Sequence, residues 1–417
     1  MKKKKRIVLI GINFYPEDTA IGYYSSDMVN YLAKSNFDIQ VITGFPYYPQ
    51  WKIQQDYQNK SIFTKEVIDN NIKVFRYKQY VPSQPTFFKR ILHIIDFTFG
   101  SLINLFRINK PDIIIAISPF TSSIFLGWLL KLRWKKSNFW VHIQDFEFDA
   151  ALQSGMLKEN NNILLKSIFK ILHSCEKYLY SKANTLSTIS KTMLEKLNSF
   201  DTNNQTYLLP NWIDENLINP KSIEDNDQQK HPYINSSKFN ILYSGNIGNK
   251  QDWSFFEEFI KKLNSEKIQV IVVGDGAMKE EVEKKSANSN IVQFHQPVPL
   301  EELSLLLCSA DLHILFQKDQ VIDTVMPSKL LGMMASSKPS LIVGNKESEV
   351  KKIIEISESG LFLENSESTI DQSLSFINKL INDESYSKRI GKNARDYVLK
   401  KYTKENILSD FIKQLLS

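Results

Sequence analysis

Cysteine is scarce in this chain: there are two in 417 residues, Cys175 and Cys308. Both lie in apolar, helix-like surroundings without CxxC or Cys/His spacing. A disulfide framework and a cysteine-based metal site are excluded, and the pair reads as buried thiols of a reducing compartment. A bilayer-crossing run is also missing. Ile113 to Leu130 comes nearest, but Pro119 and the polar Ser118, Thr121, Ser122 and Ser123 divide it into strand, turn and helix. The basic start Lys2 to Arg6 is followed by an apolar run, Ile7 to Ile12, too short for a signal peptide with its cleavage site. A cytosolic first β-strand is expected there. No repeat of solenoid period occurs, and no full GxGxxG fingerprint. With 42% hydrophobic and 24% charged residues, global disorder is excluded as well.

What is present is length, alternation and an uneven charge. A chain of 417 residues is too long for one core, so at least two domains are expected. Residues 1–136 carry 20 Lys and Arg against 9 Asp and Glu, whereas the whole chain has a net charge of +6. A basic first half suits an anionic partner such as a membrane surface, and a plain solvated surface is the alternative. No nucleic-acid recognition motif accompanies it.

Strand-like and helix-like segments alternate from RIVLIGINF to NTLSTIS, and again from FNILYSG to PSLIVG. Alternation with short connections predicts parallel sheets covered by helices. The predicted fold class is α/β, with two doubly wound Rossmann-like domains facing across a cleft. The predicted organisation is a first domain at 1–200, a polar linker at 201–237, a second domain at 238–395 and a C-terminal helix at 396–417 packing back on the first. In that scheme the C-terminal run from Tyr386 is helical throughout. The segment TFFKRILHIIDFTFGSLINLFRINK is apolar with basic ends, as expected of a helix at a lipid surface or of a buried core helix.

Four loops point towards a phosphate-bearing ligand. FNILYSGNIGNK ends a strand in the turn Gly245-Asn246-Ile247-Gly248, with Lys250 expected at the start of the next helix. Glycines allow a close backbone approach, and a helix N-terminus favours anions. VGDGAMKEEVEK places Asp275 between two glycines, where it caps a helix or touches a ligand. In TVMPSKLLGMMASSKPS, Pro327 opens a helix whose first turn holds Ser328 and Lys329. Near the N-terminus Gly22 opens a helix after the first strand. In the first domain NFWVHIQDFEFDA ends a strand at Asp145; His142 and Gln144 share a face, and His142 is either a core residue or part of a site.

SGNIGNKQ, VVGDGAMKEEVE, SADLHI, PSKLLGMMASSKPS and LPNWID resemble the second domain of family 4 retaining glycosyltransferases, which have the GT-B fold. INFYPEDTAIGYYSSDMVNYLA, VITGFPYYPQW and HIQDFEFDAALQSGML resemble the colanic-acid-type branch of that family, which builds bacterial exopolysaccharide. The resemblance implies a hexosyl- or deoxyhexosyltransferase using a UDP- or GDP-sugar, with no cofactor and no metal. The implied acceptor is a lipid-linked saccharide, of the undecaprenyl-diphosphate kind, at the inner face of the cytoplasmic membrane. It implies peripheral contact with an anionic membrane and no nucleic acid.

By position, Gly22 would face the donor diphosphate and sugar, and Lys250 with Asn246 the diphosphate. Ser328 and Lys329 would hold phosphates, with Gly245, Gly248, Asp275, Asp323 and Pro327 completing the donor side. Asp145, Gln144 and Lys250 would take the catalytic roles, and Glu17, Tyr47, Tyr48 and His142 the acceptor side. The chain departs from many relatives at Asn246, which replaces an arginine, and at Gln144, which replaces a histidine. Thr324 and Gly332 stand where a pair of glutamates is usual, and Asp323, beside Thr324, would stand in for the ribose contact of the second. Those losses leave a second reading, a non-catalytic nucleotide-sugar-binding protein of a polysaccharide locus.

Overall fold

The computed structural model describes residues 4–18, 20–69, 71–146, 163–200, 204–220, 230–321 and 328–417. The chain divides into two compact units, Met1–Pro210 with Leu408–Ser417, and Asn211–Ile407.

The first unit is built on an eight-stranded sheet: β1 (Arg6–Ile10), β2 (Asp38–Gly44), β3 (Phe63–Ile68), β4 (Ile72–Tyr77), β5 (Ile113–Ser118), β6 (Asn138–Ile143), β7 (Thr185–Thr188) and β8 (Gln205–Leu208). Its order is β3-β4-β2-β1-β5-β6-β7-β8. The central strands read as unbroken apolar runs, and all six residues of β5 are buried. That is the signature of parallel strands covered on both faces. Leu9 lies opposite Val41 on one side and Ile115 on the other. The helices are α1 (Ala20–Lys34), the short α2 (Gln55–Gln58), α3 (Phe87–Arg107), α4 (Thr121–Arg133), α5 (Ile163–Tyr180) and α6 (Lys191–Asn198).

The second unit has a six-stranded, wholly parallel sheet of order β11-β10-β9-β12-β13-β14. Its strands are β9 (Phe239–Ser244), β10 (Ile268–Val273), β11 (Val292–His295), β12 (Leu312–Phe316), β13 (Ser340–Val343) and β14 (Gly360–Leu363). Between and after them run α7 (Trp253–Lys262), α8 (Lys279–Ser286), α9 (Leu300–Ser309), α10 (Ser328–Ala335), α11 (Glu349–Ser357), α12 (Thr369–Asn382), α13 (Glu384–Lys401) and α14 (Lys404–Leu416). In the register of β9 and β10, Tyr243 lies opposite Val272 and Ser244 opposite Val273. The two strands therefore end level, and the loops that follow them are forced together.

Several elements differ from the expected organisation. The first sheet is not all parallel: β3, unread in the sequence, runs antiparallel to β4 at the edge. Its alternating exposed and half-buried residues suit that position. Strand β8 lies inside the stretch read as linker and pairs with β7, because Tyr207 finds a partner in the Trp140 ring. The C-terminal run breaks at Tyr402 and Thr403, where the backbone pairs with Ile213 instead of continuing the helix. The last division between the units falls at Ile407, within α14, rather than near 396. Beyond it, Leu408, Phe411 and Leu415 are buried, with Phe411 edge-on to Trp140 at 5.2 Å. Finally, Cys175 is exposed on α5, whereas Cys308 is buried.

Candidate functional site

In the second unit the loops after β9 and β10 interlock. Ile247 N donates to Asp275 O at 2.8 Å, and Met278 N to Ile247 O at 3.0 Å. A Cβ on Gly274 would stand 1.9 Å from the Gly245 carbonyl oxygen, so the crossing admits only glycine there. Gly245 has φ +135°, a conformation that side chains rarely tolerate. Lys279 anchors the second loop by donating to Gly274 O at 3.1 Å.

Over this turn lies Lys329, from the first turn of α10. A Cβ at Gly245 would meet its Cε at 2.2 Å. Its ammonium sits 4.7 Å from the centre of the Tyr243 ring and donates to Tyr243 Oη at 3.0 Å and to Asn246 O at 3.5 Å. Tyr243 Oη in turn donates to Asn246 O at 2.6 Å, and burial keeps that hydroxyl protonated by raising its pKa. Burial pushes the Lys329 pKa down to about 8. Among the described residues no carboxylate pairs with Lys329. A cation held against a carbonyl, a phenol and a ring, with no carboxylate beside it among the described residues, is an arrangement suited to an anion.

Other expected donor residues are placed differently. Lys250 and Asn246 are both exposed on the turn. Lys250 does not open a helix: α7 begins at Trp253, and its N-cap Asp252 accepts from Phe255 N at 3.1 Å. An acidic cap thus stands at that helix start and takes one of its free N–H groups. Gly248 closes the turn, its N–H donating to Gln251 Oε1 and its carbonyl accepting from Trp253 Nε1. Asp275 is exposed and accepts from Gly276 N at 2.9 Å; it does not cap α8, whose N-cap is Met278. Asp323, Thr324 and Pro327 lie outside the described residues, as does the Ser328 side chain. Gly332 sits within α10, where a Cβ would touch Leu307 at 3.4 Å.

In the first unit a second cluster forms around Glu17, which is 2% exposed. Its carboxylate accepts from the backbone N–H groups of Tyr47 and Tyr48, both at 2.8 Å, and from Asn13 Nδ2 at 2.9 Å. Burial raises its pKa against those bonds. Gly22 belongs to the same cluster: a Cβ there would stand 2.8 Å from the Glu17 Cβ. Its lack of a side chain thus has a structural reason, the passage of Glu17 across the start of α1. Tyr47 is buried, with the His93 ring 4.7 Å from its own and Trp51 5.3 Å away, whereas Tyr48 is 37% exposed.

Gln144 and His142 belong to one buried hydrogen-bond network. Gln144 Nε2 donates to His142 Nε2, and His142 Nδ1 meets Ser187 Oγ, both at 2.9 Å. Trp140 Nε1 also donates to Ser187, at 2.7 Å. Burial drives the His142 pKa down to about 3, so the ring is neutral, a core histidine with both nitrogens satisfied. Asp145, just beyond, accepts from Ser118 Oγ at its backbone carbonyl, and its carboxylate supports the charge of Lys196.

Residues 224–397 match the family model described as glycosyl transferases group 1. The chain carries a group 1 glycosyl transferase domain. The chain as a whole is 29% identical over 416 residues to the "Putative colanic acid biosynthesis glycosyl transferase WcaI" of Escherichia coli (strain K12), covering 98% of this chain and 99% of that one. Among solved structures it is similar to the sucrose-phosphate synthase of Thermosynechococcus elongatus, with TM-score 0.74, 13% identity and 99% of both chains covered. It is also similar to Anabaena HepE in complex with UDP-glucose, with TM-score 0.66, 13% identity and 98% and 99% coverage. The two α/β units have the GT-B fold.

The interlocked glycine loops and Lys329 all fall within the group 1 domain. Sequence reasoning found Gly245, Gly274 and Lys329 but missed Tyr243 and Lys279, which hold them. In the first unit it missed Arg76, fully buried on β4, which donates to Glu66 Oε2 at 2.8 Å, to Gly44 O at 3.0 Å and to Tyr15 O. An arginine inside the otherwise apolar run VFRY was the available signal. Gln79, which bonds both the N–H and the carbonyl of Phe45, gave none.

Proposed function

We propose that the protein transfers a sugar from a uridine-nucleotide sugar to a lipid-linked saccharide, with retention of anomeric configuration, in exopolysaccharide biosynthesis. The observation that carries this reading is the Lys329 ammonium lying over the Gly245 turn without a carboxylate partner among the described residues. The uridine nucleotide is favoured by the likeness to HepE with UDP-glucose, and the pathway by the likeness to the Escherichia coli protein.

In the proposed reaction the acceptor oxygen bonds to the anomeric carbon as the bond to the donor phosphate breaks. The acceptor proton passes to the departing diphosphate. Lys329, with the exposed Lys250 beside the same turn, offsets the charge that develops there, an effect worth several kcal/mol of barrier. These cations take the place of a metal ion. Glu17 orders the Tyr47–Tyr48 loop on the acceptor side, Asp145 positions the reacting groups, and the basic first unit meets the inner face of an anionic membrane.

Calorimetric titration with UDP, GDP and their glucose conjugates tests the donor assignment: binding of UDP and UDP-glucose, weakened at least tenfold in Lys329→Met, is expected. Equal affinity in that variant overturns the role of Lys329. The absence of glutamates at Thr324 and Gly332 favours the second reading, and binding without release of UDP in the presence of lipid-linked acceptors would establish it.

A further inference from the structure

Helix α3 is inverted. Its inward side carries the buried polar residues His93, Ser101 and Asn104 alongside Phe97 and Leu105. Its outward side exposes Phe88, Leu92, Ile95, Phe99, Ile103 and Phe106, spaced by three and four residues along the whole helix. Phe88 is 73% exposed, Phe99 68% and Phe106 76%. Water is a poor solvent for such a stripe, and contiguous apolar surface of this size marks a binding face.

The stripe does not end with α3. Helix α3 packs beside α4, and α4 beside α5. There the exposed Leu132, Ile171 and Tyr178 extend it. Between α4 and α5 runs an open groove of about 570 Å³, floored by Phe125, Trp128, Ile171 and Leu179, with Lys170 and Cys175 along it.

Charge identifies the occupant. Residues 87–136 hold eight basic side chains and two acidic ones, Asp96 and Asp112. Both acids are engaged within the unit: Asp96 accepts from Tyr77 Oη and Tyr80 N, and Asp112 from Arg6 N. On α5, Glu176 is buried against Tyr180 Oη. Cations border the apolar face instead, with Arg133 lying over the Phe106 ring at 5.4 Å and Lys182 over Tyr178 at 4.2 Å. A second copy of this chain would set cation against cation. An anionic bilayer presents the opposite charge above an apolar interior. No helix among the described residues is long and apolar enough to cross a membrane, so this contact lies on the surface.

We propose that the outer face of α3, α4 and α5 docks on an anionic bilayer, with one lipid acyl chain seated in the α4–α5 groove. The proposal deepens the reading of a membrane-borne acceptor and rests on it for the choice of membrane.

Cys175 provides the test, because the other cysteine is buried. The rate at which full-length protein reacts with a water-soluble aromatic disulfide is measured with phosphatidylglycerol–phosphatidylethanolamine vesicles and with phosphatidylcholine vesicles. Cys175→Ser supplies the background. At least tenfold slowing is expected with the anionic vesicles and none with phosphatidylcholine. A polarity-sensitive probe on Cys175 should be quenched by lipids brominated midway along the chain. The double variant Phe99→Ser, Ile171→Ser should restore the rate and reduce co-sedimentation at least tenfold, with the thermal shift by UDP unchanged. Both positions are exposed, so folding is spared.

Sedimentation with anionic vesicles at an unchanged Cys175 rate overturns the docking face and leaves the membrane reading standing. No sedimentation overturns both. Protection without lipid that grows with protein concentration assigns the face to a second copy and overturns the proposal.

Discussion

Replacing Lys329 by methionine should make the protein more stable while weakening its affinity for UDP at least tenfold. The ammonium is held over the Gly245 turn against the Tyr243 ring, and burial lowers its pKa from 10.5 to about 8. Between those values the unfolded chain holds more protons than the folded one, so stability rises with pH across that window. Below about pH 8 the full cost of the buried charge is present, on the order of 3 kcal/mol from the size of the shift. Methionine keeps the length of the side chain and removes that cost. It also loses the bond to Tyr243 Oη, which returns about 1 kcal/mol. A net gain of roughly 2 kcal/mol should raise Tm by about 4–8 °C in a unit of this size. Calorimetric melts at pH 7 and pH 10.5 provide the assay: the variant should melt higher at pH 7, and the difference should shrink at pH 10.5. The same concentration of UDP should raise the Tm of the parent more than that of the variant. A variant that melts lower than the parent at pH 7, or one that responds to UDP as the parent does, would refute the account of Lys329 as a cation awaiting its anion.

Three further outcomes follow from the same geometry. Gly274→Ala should cost on the order of 3 kcal/mol and displace the turn after β9, because its Cβ would stand 1.9 Å from the Gly245 oxygen; urea unfolding and UDP titration measure both effects. Glu17→Ala should cost about 3 kcal/mol by orphaning the Tyr47 and Tyr48 amides and Asn13, a loss read from the urea midpoint. His142, neutral in the folded state with a pKa of about 3, makes stability fall as pH drops from about 6.5 towards 3. His142→Gln should flatten that acid limb, while the pH profile of turnover between 6 and 9 keeps its shape.

The alternation of apolar strands with amphipathic helices made both sheets legible, because buried parallel strands read as unbroken runs such as IIIAIS and IQVIVV. Strands that owe their existence to a partner were not: β8, QTYL, is polar and forms because the edge of β7 and the ring of Trp140 await it. In the candidate site, glycine spacing after β9 and β10 was legible, since those residues answer a local backbone demand. The joining of Lys329 to that turn is a contact between residues more than 80 positions apart, which no spacing encodes. Lys250 was misplaced because Asp252, two residues on, took the helix cap that the lysine was expected to border. His142 and Gln144 shared a face as expected, but only the burial of Ser187 and Trp140 beside them revealed a buried hydrogen-bond network.

The placement of Leu408–Ser417 in the first unit has a consequence for synthesis on the ribosome. The second unit is continuous in the chain and has all its residues once Ile407 has been made. The first has its sheet by Pro210 but lacks Phe411, the partner of Trp140, until about 200 residues later. At 5–20 residues per second the intervening stretch takes roughly 10–40 s to translate. Throughout that interval one face of the first sheet stands without its last helix, open to chaperones, proteases or a wrong partner. The order of completion is thus the reverse of the order of beginning, and a nascent chain arrested before Leu408 should carry a finished second unit and an unfinished first.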